Sequence, residues 1–172
     1  AGNDLSLTAG TSLTANDSTV IATAGSATIK ANGGALSMNV STITANTSVT
    51  GTASGAVLLD NSTLTATTGA LTLGAAGGNL SLESADLVAG AALTGTATAG
   101  VLLDASTATA GTNLSLSAGT VLTGDDSTFT AGNDLSLTAG TSLTANDSTV
   151  IATAGSATIK ANGGDLSMNA ST

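Results

Sequence analysis

The sequence predicts an all-β fold: a parallel β-helix, or β-solenoid, with three short strands in each coil of 21–23 residues and about seven to eight stacked coils. Three observations predict this fold. The segment Ala131–Thr172 repeats Ala1–Thr42 with two changes, Ala35 to Asp165 and Val40 to Ala170. A shorter unit recurs along the whole chain. Within that unit apolar and polar residues largely alternate, which is the period of a β-strand.

One residue recurs at the same corner of each predicted coil, and its spacing gives the coil length. It occupies Ser18, Ser41, Ser62, Ala85, Ser106, Ser127, Ser148 and Ser171, at spacings of 21 or 23 residues. Six coils therefore make a large repeat of 130 residues (1–130), which residues 131–172 begin again, and the whole of 1–172 is predicted to be one solenoid segment. The longer coils carry an added Gly pair. We expect the extra residues in one corner loop, where Gly would supply a positive φ.

The coil that begins at Gly132 illustrates the strands. Leu135–Ala139, Ser142–Ala145 and Ser148–Ala152 are predicted strands, separated by Gly140-Thr141 and Asn146-Asp147. Thr, Val and Ser favour strands and turns over helix interiors. The coils should stack so that each strand pairs with its equivalent about 4.8 Å away.

Each predicted face turns a row of small aliphatic side chains inward. The first face repeats the pattern of Leu5, Leu7 and Ala9 in every coil. The second face contributes Leu13, Leu36, Val57, Leu80, Val101, Leu122 and Leu143. The third face contributes Val20, Ile43, Leu64, Leu87, Ala108, Phe129 and Val150.

Composition excludes several classes of function. The net charge is −9 with two basic residues, Lys30 and Lys160, so neither nucleic acid nor an anionic membrane surface is an expected partner. No apolar run is long enough to insert into a bilayer. The chain has no His, Cys, Arg or Tyr to serve as base, nucleophile or oxyanion donor. We therefore expect no catalysis and no obligatory cofactor.

One polar row has two interpretations. Two residues before each corner position lies Asn, Asp or Glu, and four consecutive members are acidic: Asp60, Glu83, Asp104 and Asp125. A solvated row can tolerate this, because like charges about 4.8 Å apart repel by only about 0.9 kcal/mol in bulk water. The alternative is a Ca²⁺-binding edge with oxygen ligands from successive coils.

The outward side of the third face also has two interpretations. Threonine pairs recur there, interrupted by Asp86 and Val88 and by Ile21 and Ile151; the pairs are Thr42/Thr44, Thr63/Thr65, Thr107/Thr109 and Thr128/Thr130. Thr is a β-former that solvates well. The other interpretation is a surface-binding face for ice or glycan, since such pairs resemble the ice-binding face of some antifreeze proteins.

The segments AGNDLSLTAGTSLTA (1–15 and 131–145) and GTNLSLSAGTVLTG (111–124) resemble haemagglutinin repeats. These repeats form the coils of filamentous-haemagglutinin-like adhesins exported by two-partner secretion. The resemblance covers essentially the whole chain and implies a right-handed β-helical shaft at a bacterial surface or released from it.

The sequence thus predicts a structural shaft of a secreted or surface-attached fibre or adhesin. Its expected partners are copies of itself or further repeats of the same chain, end to end, and a host or neighbouring-cell surface. The expected location is extracellular. The alternative is a surface-binding module that uses the threonine face.

Overall fold

The computed structural model describes all residues, 1–172, and confirms an all-β parallel solenoid of about eight coils without a helix. The strands are β1 (Leu5–Ala9), β2 (Leu13–Asn16), β3 (Thr19–Ala22), β4 (Ala27–Ala31), β5 (Leu36–Asn39), β6 (Thr42–Ala45), β7 (Val49–Ala53), β8 (Val57–Asp60), β9 (Thr63–Ala66), β10 (Leu71–Ala75), β11 (Leu80–Glu83), β12 (Asp86–Ala89), β13 (Leu93–Ala97), β14 (Val101–Asp104), β15 (Thr107–Ala110), β16 (Leu114–Ala118), β17 (Leu122–Asp125), β18 (Thr128–Ala131), β19 (Leu135–Ala139), β20 (Leu143–Asn146), β21 (Thr149–Ala152), β22 (Ala157–Ala161) and β23 (Leu166–Asn169).

Every third strand belongs to the same sheet. The first sheet contains eight strands from β1 to β22, the second contains eight from β2 to β23, and the third contains seven from β3 to β21. All pairs are parallel and join equivalent positions of successive coils, for example Leu7 with Ile29 and Val20 with Ile43. Each residue therefore lies against its counterpart in the next coil, which makes one cross-section repeat along the axis.

The core is a single cluster of 40 buried hydrophobic residues along that axis. In the inner coils the apolar side chains of the three predicted inward rows lie in it, whereas in the end coils Leu5, Leu13 and Val150 only pack against it and Leu7 is exposed. A further inward row, which was not among the predicted rows, is the third residue of each second-sheet strand, and it includes Met38, Leu59, Leu82 and Leu103. Alternation along the strand puts this position on the same face as the first residue.

The predicted place of the extra residues was only partly right. They lie outside the strands, but a 23-residue coil has one extra residue at each of two corners. The corner between first and second sheets is Asn32–Ala35 in a long coil and Ser54–Ala56 in a short one. The corner between third and first sheets is Thr23–Ser26 in a long coil and Asn46–Ser48 in a short one. The corner between second and third sheets always has two residues.

The predicted role of glycine was wrong. No glycine has a positive φ; the positive values belong to non-glycine residues at the two-residue corner. Several corner glycines are needed for space instead. A Cβ at Gly33 would lie 2.5 Å from the carbonyl oxygen of Gly10 in the preceding coil, and one at Gly90 would meet the carbonyl oxygen of Thr67. Stacked backbone, rather than a turn conformation, therefore excludes a side chain there.

The two copies of the large repeat show what stacking contributes. Leu7 is 38% exposed in the first coil, whereas its copy Leu137 is fully buried under neighbours on both sides. At the other end Leu166 is 51% exposed and its copy Leu36 is 1% exposed. Because the sequences around Leu7 and Leu137 are identical, their difference in exposure comes from the neighbouring coil alone.

Candidate functional site

The corner between the second and third sheets, which we call the serine corner, is the most regular polar feature of the molecule. It comprises the two residues after each second-sheet strand, and the second residue is the recurrent serine. The serines of the inner coils are about 1% exposed, although serine is usually a surface residue. The sequence marks these residues only by their regular spacing, which does not reveal that the serine side chains point inward.

Hydrogen bonds along the axis explain this burial. The Ser41 backbone N–H donates to Ser62 Oγ at 3.1 Å, and Ser106 N–H donates to Ser127 Oγ at 3.2 Å. Each hydroxyl in turn donates to the carbonyl oxygen two residues earlier, as Ser62 Oγ does to Asp60 at 2.8 Å. The buried polar groups are thus paired. Ala85 interrupts the row, since it offers no hydroxyl to the coil before it.

The residue before each serine is in the left-handed region. Its φ lies between 45° and 50° in all eight coils, and the residues are Asp17, Val40, Asn61, Ser84, Ala105, Asp126, Asp147 and Ala170. Its N–H donates to the next coil, as Val40 N–H does to the Asp60 carbonyl oxygen at 3.0 Å. The corner therefore keeps its geometry even where the residue type disfavours it.

The four predicted calcium candidates do lie side by side. Glu83 pairs in register with Asp60 on one side and Asp104 on the other, and Asp104 pairs with Asp125. Asp125 Oδ1 accepts from the Asn146 side-chain amide at 2.9 Å. The carboxylates form a line along the surface rather than a cage. No three carboxylates of the chain are grouped so that they could hold one metal ion.

The predicted threonine face is present on the third sheet, in two blocks. Thr42 and Thr44 pair with Thr63 and Thr65, and Thr107 and Thr109 pair with Thr128 and Thr130. The strand between the blocks presents Asp86 and Val88 in the same rows. The Asp86 carboxylate accepts a hydrogen bond from the Thr107 hydroxyl. The face is therefore not a continuous hydroxyl surface.

A longer hydroxyl row, which was not among the predicted surfaces, lies on the first sheet. It is the second residue of every strand of that sheet and contains only Ser and Thr: Ser6, Thr28, Thr50, Thr72, Thr94, Ser115, Ser136 and Thr158. Strand alternation in the first strand of each coil was the signal that could have revealed it. Lys30 and Lys160 lie in the neighbouring outward row of the same sheet.

Concave surface is scarce. Shallow depressions follow the edge of the first sheet beside Thr52, Gly74 and Thr96. The largest opening, about 690 Å³, is the uncovered end of the first coil and is lined by Leu7, Leu13, Ala15 and Val20 among others. It is the end of the core rather than a side pocket. The chain also has no helix with the length and apolarity to cross a membrane.

Comparison with known proteins identifies no relative of this chain. No protein-family model, curated protein or solved structure matches the chain. The molecule is thus a parallel β-solenoid repeat protein by its own geometry, and its likeness to haemagglutinin repeats is a likeness of sequence pattern.

Proposed function

We propose that the chain is a segment of the structural shaft of a secreted or surface-attached bacterial fibre or adhesin, and that it acts by length and stiffness rather than by catalysis. The observation that carries this proposal is the constant cross-section. Three parallel sheets and one core run through all the coils, and the 130-residue repeat starts again in the same register. Such a unit extends without changing shape.

The partners of the shaft are further coils, either of the same chain or of another copy, end to end. Equivalent strands of successive coils pair in each of the three sheets, and a sheet edge pairs readily with another strand. The extracellular location and the contact with a host or neighbouring cell are proposed from the resemblance to haemagglutinin repeats. The acidic, hydroxyl-rich exterior suits a surface that stays solvated beside other fibres.

The shaft is tested by its length. We expect a chain extended by one further 130-residue repeat to gain about 29 Å in its longest dimension, six coils at about 4.8 Å each, with no change in width. Small-angle X-ray scattering and electron microscopy measure both quantities. A longer chain that becomes wider rather than longer would contradict the shaft. Antibodies against the chain should label filaments outside bacteria; labelling confined to the cell interior would contradict the location.

A second candidate is a surface-binding module for ice or glycan. The observation that favours it is the unbroken hydroxyl row of the first sheet, which is more continuous than the threonine pairs of the third sheet. Thermal hysteresis or glycan retention that is lost in Thr72→Glu and kept in Thr65→Glu would support this function. Absence of both activities in the unchanged protein would exclude it.

A further inference from the structure

We propose that Asn32 and its copy Asn162 are sites of self-modification, at which the chain converts an asparagine into aspartate and isoaspartate, and that the isoaspartate destabilises the corner of the coil. This inference is independent of the proposed shaft, because it concerns chemistry within one chain. Both residues open the corner between the first and second sheets, directly after β4 and β22. They are related by the 130-residue repeat, so the repeat carries one such site.

The residue that follows each of these two asparagines is a glycine. The chain has twelve asparagines, and only Asn32 and Asn162 precede glycine. The backbone nitrogen of the next residue is the group that can attack an asparagine side chain, and glycine has no Cβ to hinder that attack. Every other asparagine precedes a residue with a side chain. The sequence therefore favours the reaction at these two positions.

The reaction needs no reagent except water. The Gly33 nitrogen loses its proton to solvent and attacks Cγ of Asn32. The new N–Cγ bond closes a five-membered succinimide ring, and the side-chain nitrogen takes a proton from water and leaves as ammonia. Water then opens the ring at either carbonyl carbon. One opening gives aspartate, and the other gives isoaspartate, in which the backbone passes through Cβ and Cγ and so gains an atom.

The groups that react at Asn32 are accessible. Its side chain is exposed and is not held by the rest of the chain, unlike that of Asn79, whose side-chain oxygen accepts a backbone N–H at 2.9 Å. Gly33 is exposed as well. Its N–H donates to the Thr11 carbonyl oxygen at 3.3 Å, a longer bond than the 2.9 Å bond from Asn32 N–H to Ala9. The preceding coil therefore holds the attacking nitrogen only weakly.

A lysine lies beside each site. Lys30 and Lys160 are the only basic residues of the chain, and each precedes its asparagine by two residues. Lys30 and Asn32 line the same shallow depression, and no carboxylate lines it. Negative charge develops on the asparagine side-chain oxygen during the attack, and a nearby ammonium group stabilises that charge. The lysine therefore favours the conversion.

Isoaspartate at this corner should disturb the stack. The backbones of successive coils are in close contact here, since a Cβ at Gly33 would lie 2.5 Å from the Gly10 carbonyl oxygen. An atom added to the main chain beside Gly33 pushes the corner against the same backbone. Aspartate keeps the length of the backbone. We therefore expect isoaspartate, rather than the added charge, to lower the Tm.

Peptide mapping by mass spectrometry tests the conversion. The folded chain is kept in mildly alkaline buffer, and the mapping finds each asparagine that has exchanged ammonia for water. We expect the exchange at Asn32 and Asn162, whereas Asn46 and Asn113 serve as internal controls and should not change. The exposed corner needs no unfolding to react, so the folded rate should be within about tenfold of the rate in urea. A carboxyl methyltransferase specific for isoaspartate measures that product.

Two results would overturn the conversion. One is exchange in urea without exchange in the folded chain, because the corner would then shield the glycine nitrogen. The other is exchange confined to Asn162, since Asn32 is the copy that follows a strand paired on both sides.

Lys30→Gln tests the neighbouring charge with an internal reference, because Asn162 keeps Lys160. We expect slower exchange at Asn32, with a difference that shrinks as salt is added, and no change at Asn162. An unchanged rate at Asn32, or equal slowing at both sites, would overturn the part assigned to Lys30.

Thermal unfolding before and after storage tests the effect of isoaspartate. We expect the Tm of the unchanged chain to fall by a few degrees as isoaspartate accumulates. The double variant Asn32→Gln, Asn162→Gln keeps both amide groups but would need a six-membered ring, so its Tm should stay constant. Freshly prepared Asn32→Asp, Asn162→Asp measures the added charge alone and should lose less. A stored chain that contains isoaspartate and keeps its Tm would overturn the destabilisation, as would an equal loss in the fresh aspartate variant.

Discussion

Val40 holds a backbone conformation that its own side chain disfavours. It lies in the left-handed region with φ 48°, and β-branched residues are the least suited to that region. The neighbouring coils impose it, since every coil bends at the same place. In the second copy of the repeat the same position is Ala170, with φ 50°.

We expect Val40→Asn to raise the free energy of unfolding by about 1 kcal/mol, because Asn tolerates the left-handed region. Thr42→Asn is the matched control, since Thr42 is also exposed but lies in a strand, where Asn is disfavoured. Denaturant unfolding of both variants measures the difference. A Val40→Asn protein no more stable than the original would show that the corner is not strained at this residue.

Ala85 is the one break in the row of buried corner serines. Ser62 N–H finds no hydroxyl on the next coil, whereas Ala85 N–H donates to Ser106 Oγ at 3.0 Å. We expect Ala85→Ser to stabilise the fold by about 1 kcal/mol by restoring that acceptor, and Ser106→Ala to destabilise it by about 1–3 kcal/mol by leaving a buried donor unpaired. The rise in Tm expected for Ala85→Ser need not equal the fall in Tm expected for Ser106→Ala. A destabilising Ala85→Ser would mean that the site has no room for a hydroxyl.

In two successive coils, inward residues of the second and third sheets compensate for each other in size. Phe129 on β18 is fully buried, and a Cβ at Gly124 on β17 would lie 2.8 Å from its Cζ atom. One coil earlier the same two positions hold Leu103 and Ala108. In one of these two coils the large residue is on the third sheet and the small one on the second, and in the other coil the sizes are exchanged.

A double-mutant cycle tests this compensation. We expect Gly124→Leu alone to destabilise by about 1–3 kcal/mol through overpacking, and Phe129→Ala alone by about 3–5 kcal/mol through a cavity. The double variant copies the Leu103 and Ala108 pair, and its loss should be well below the sum of the two. Additive losses in denaturant unfolding would show that the two side chains do not share one space.

The acidic row of the second sheet is expected to remain a solvated row. Its four carboxylates lie in line on β8, β11, β14 and β17, and a calcium ion needs six to eight oxygen ligands around one point. We expect millimolar Ca²⁺ to leave the Tm unchanged relative to equal ionic strength of Na⁺. A rise in Tm that is lost in Asp104→Asn would instead support the calcium edge.

The whole molecule carries a net negative charge that should keep neighbouring copies of the solenoid apart. The net charge is −9 at pH 7 and the isoelectric point is about 4.1. As pH falls, carboxylates bind protons and the net charge approaches zero, so repulsion between shafts weakens. We expect reversible side-by-side bundling near pH 4, measured by light scattering and electron microscopy. A protein that stays dispersed through its isoelectric point would contradict a role of charge in separating fibres.

Periodicity in the chain was sufficient to predict the coil length, the three strands of each coil, the 130-residue repeat and most of the inward rows. Residues such as Leu135, Leu143 and Phe129 alternate with polar neighbours, and alternation assigns a face to each without knowledge of contacts. The acidic row and the broken threonine face were predictable for the same reason, because equivalent positions stack.

Contacts between coils decided the rest. Three features depend on which atoms the adjacent coil brings within a few ångströms. Ser62 points inward, Val40 adopts a left-handed φ that valine disfavours, and Gly124 leaves space for the ring of Phe129. Leu7 and Leu137 have the same sequence around them, yet only Leu137 is buried. Periodicity in the sequence predicts which face of a strand a residue occupies. Burial of that residue depends on whether a neighbouring coil covers it, and only the tertiary structure shows this.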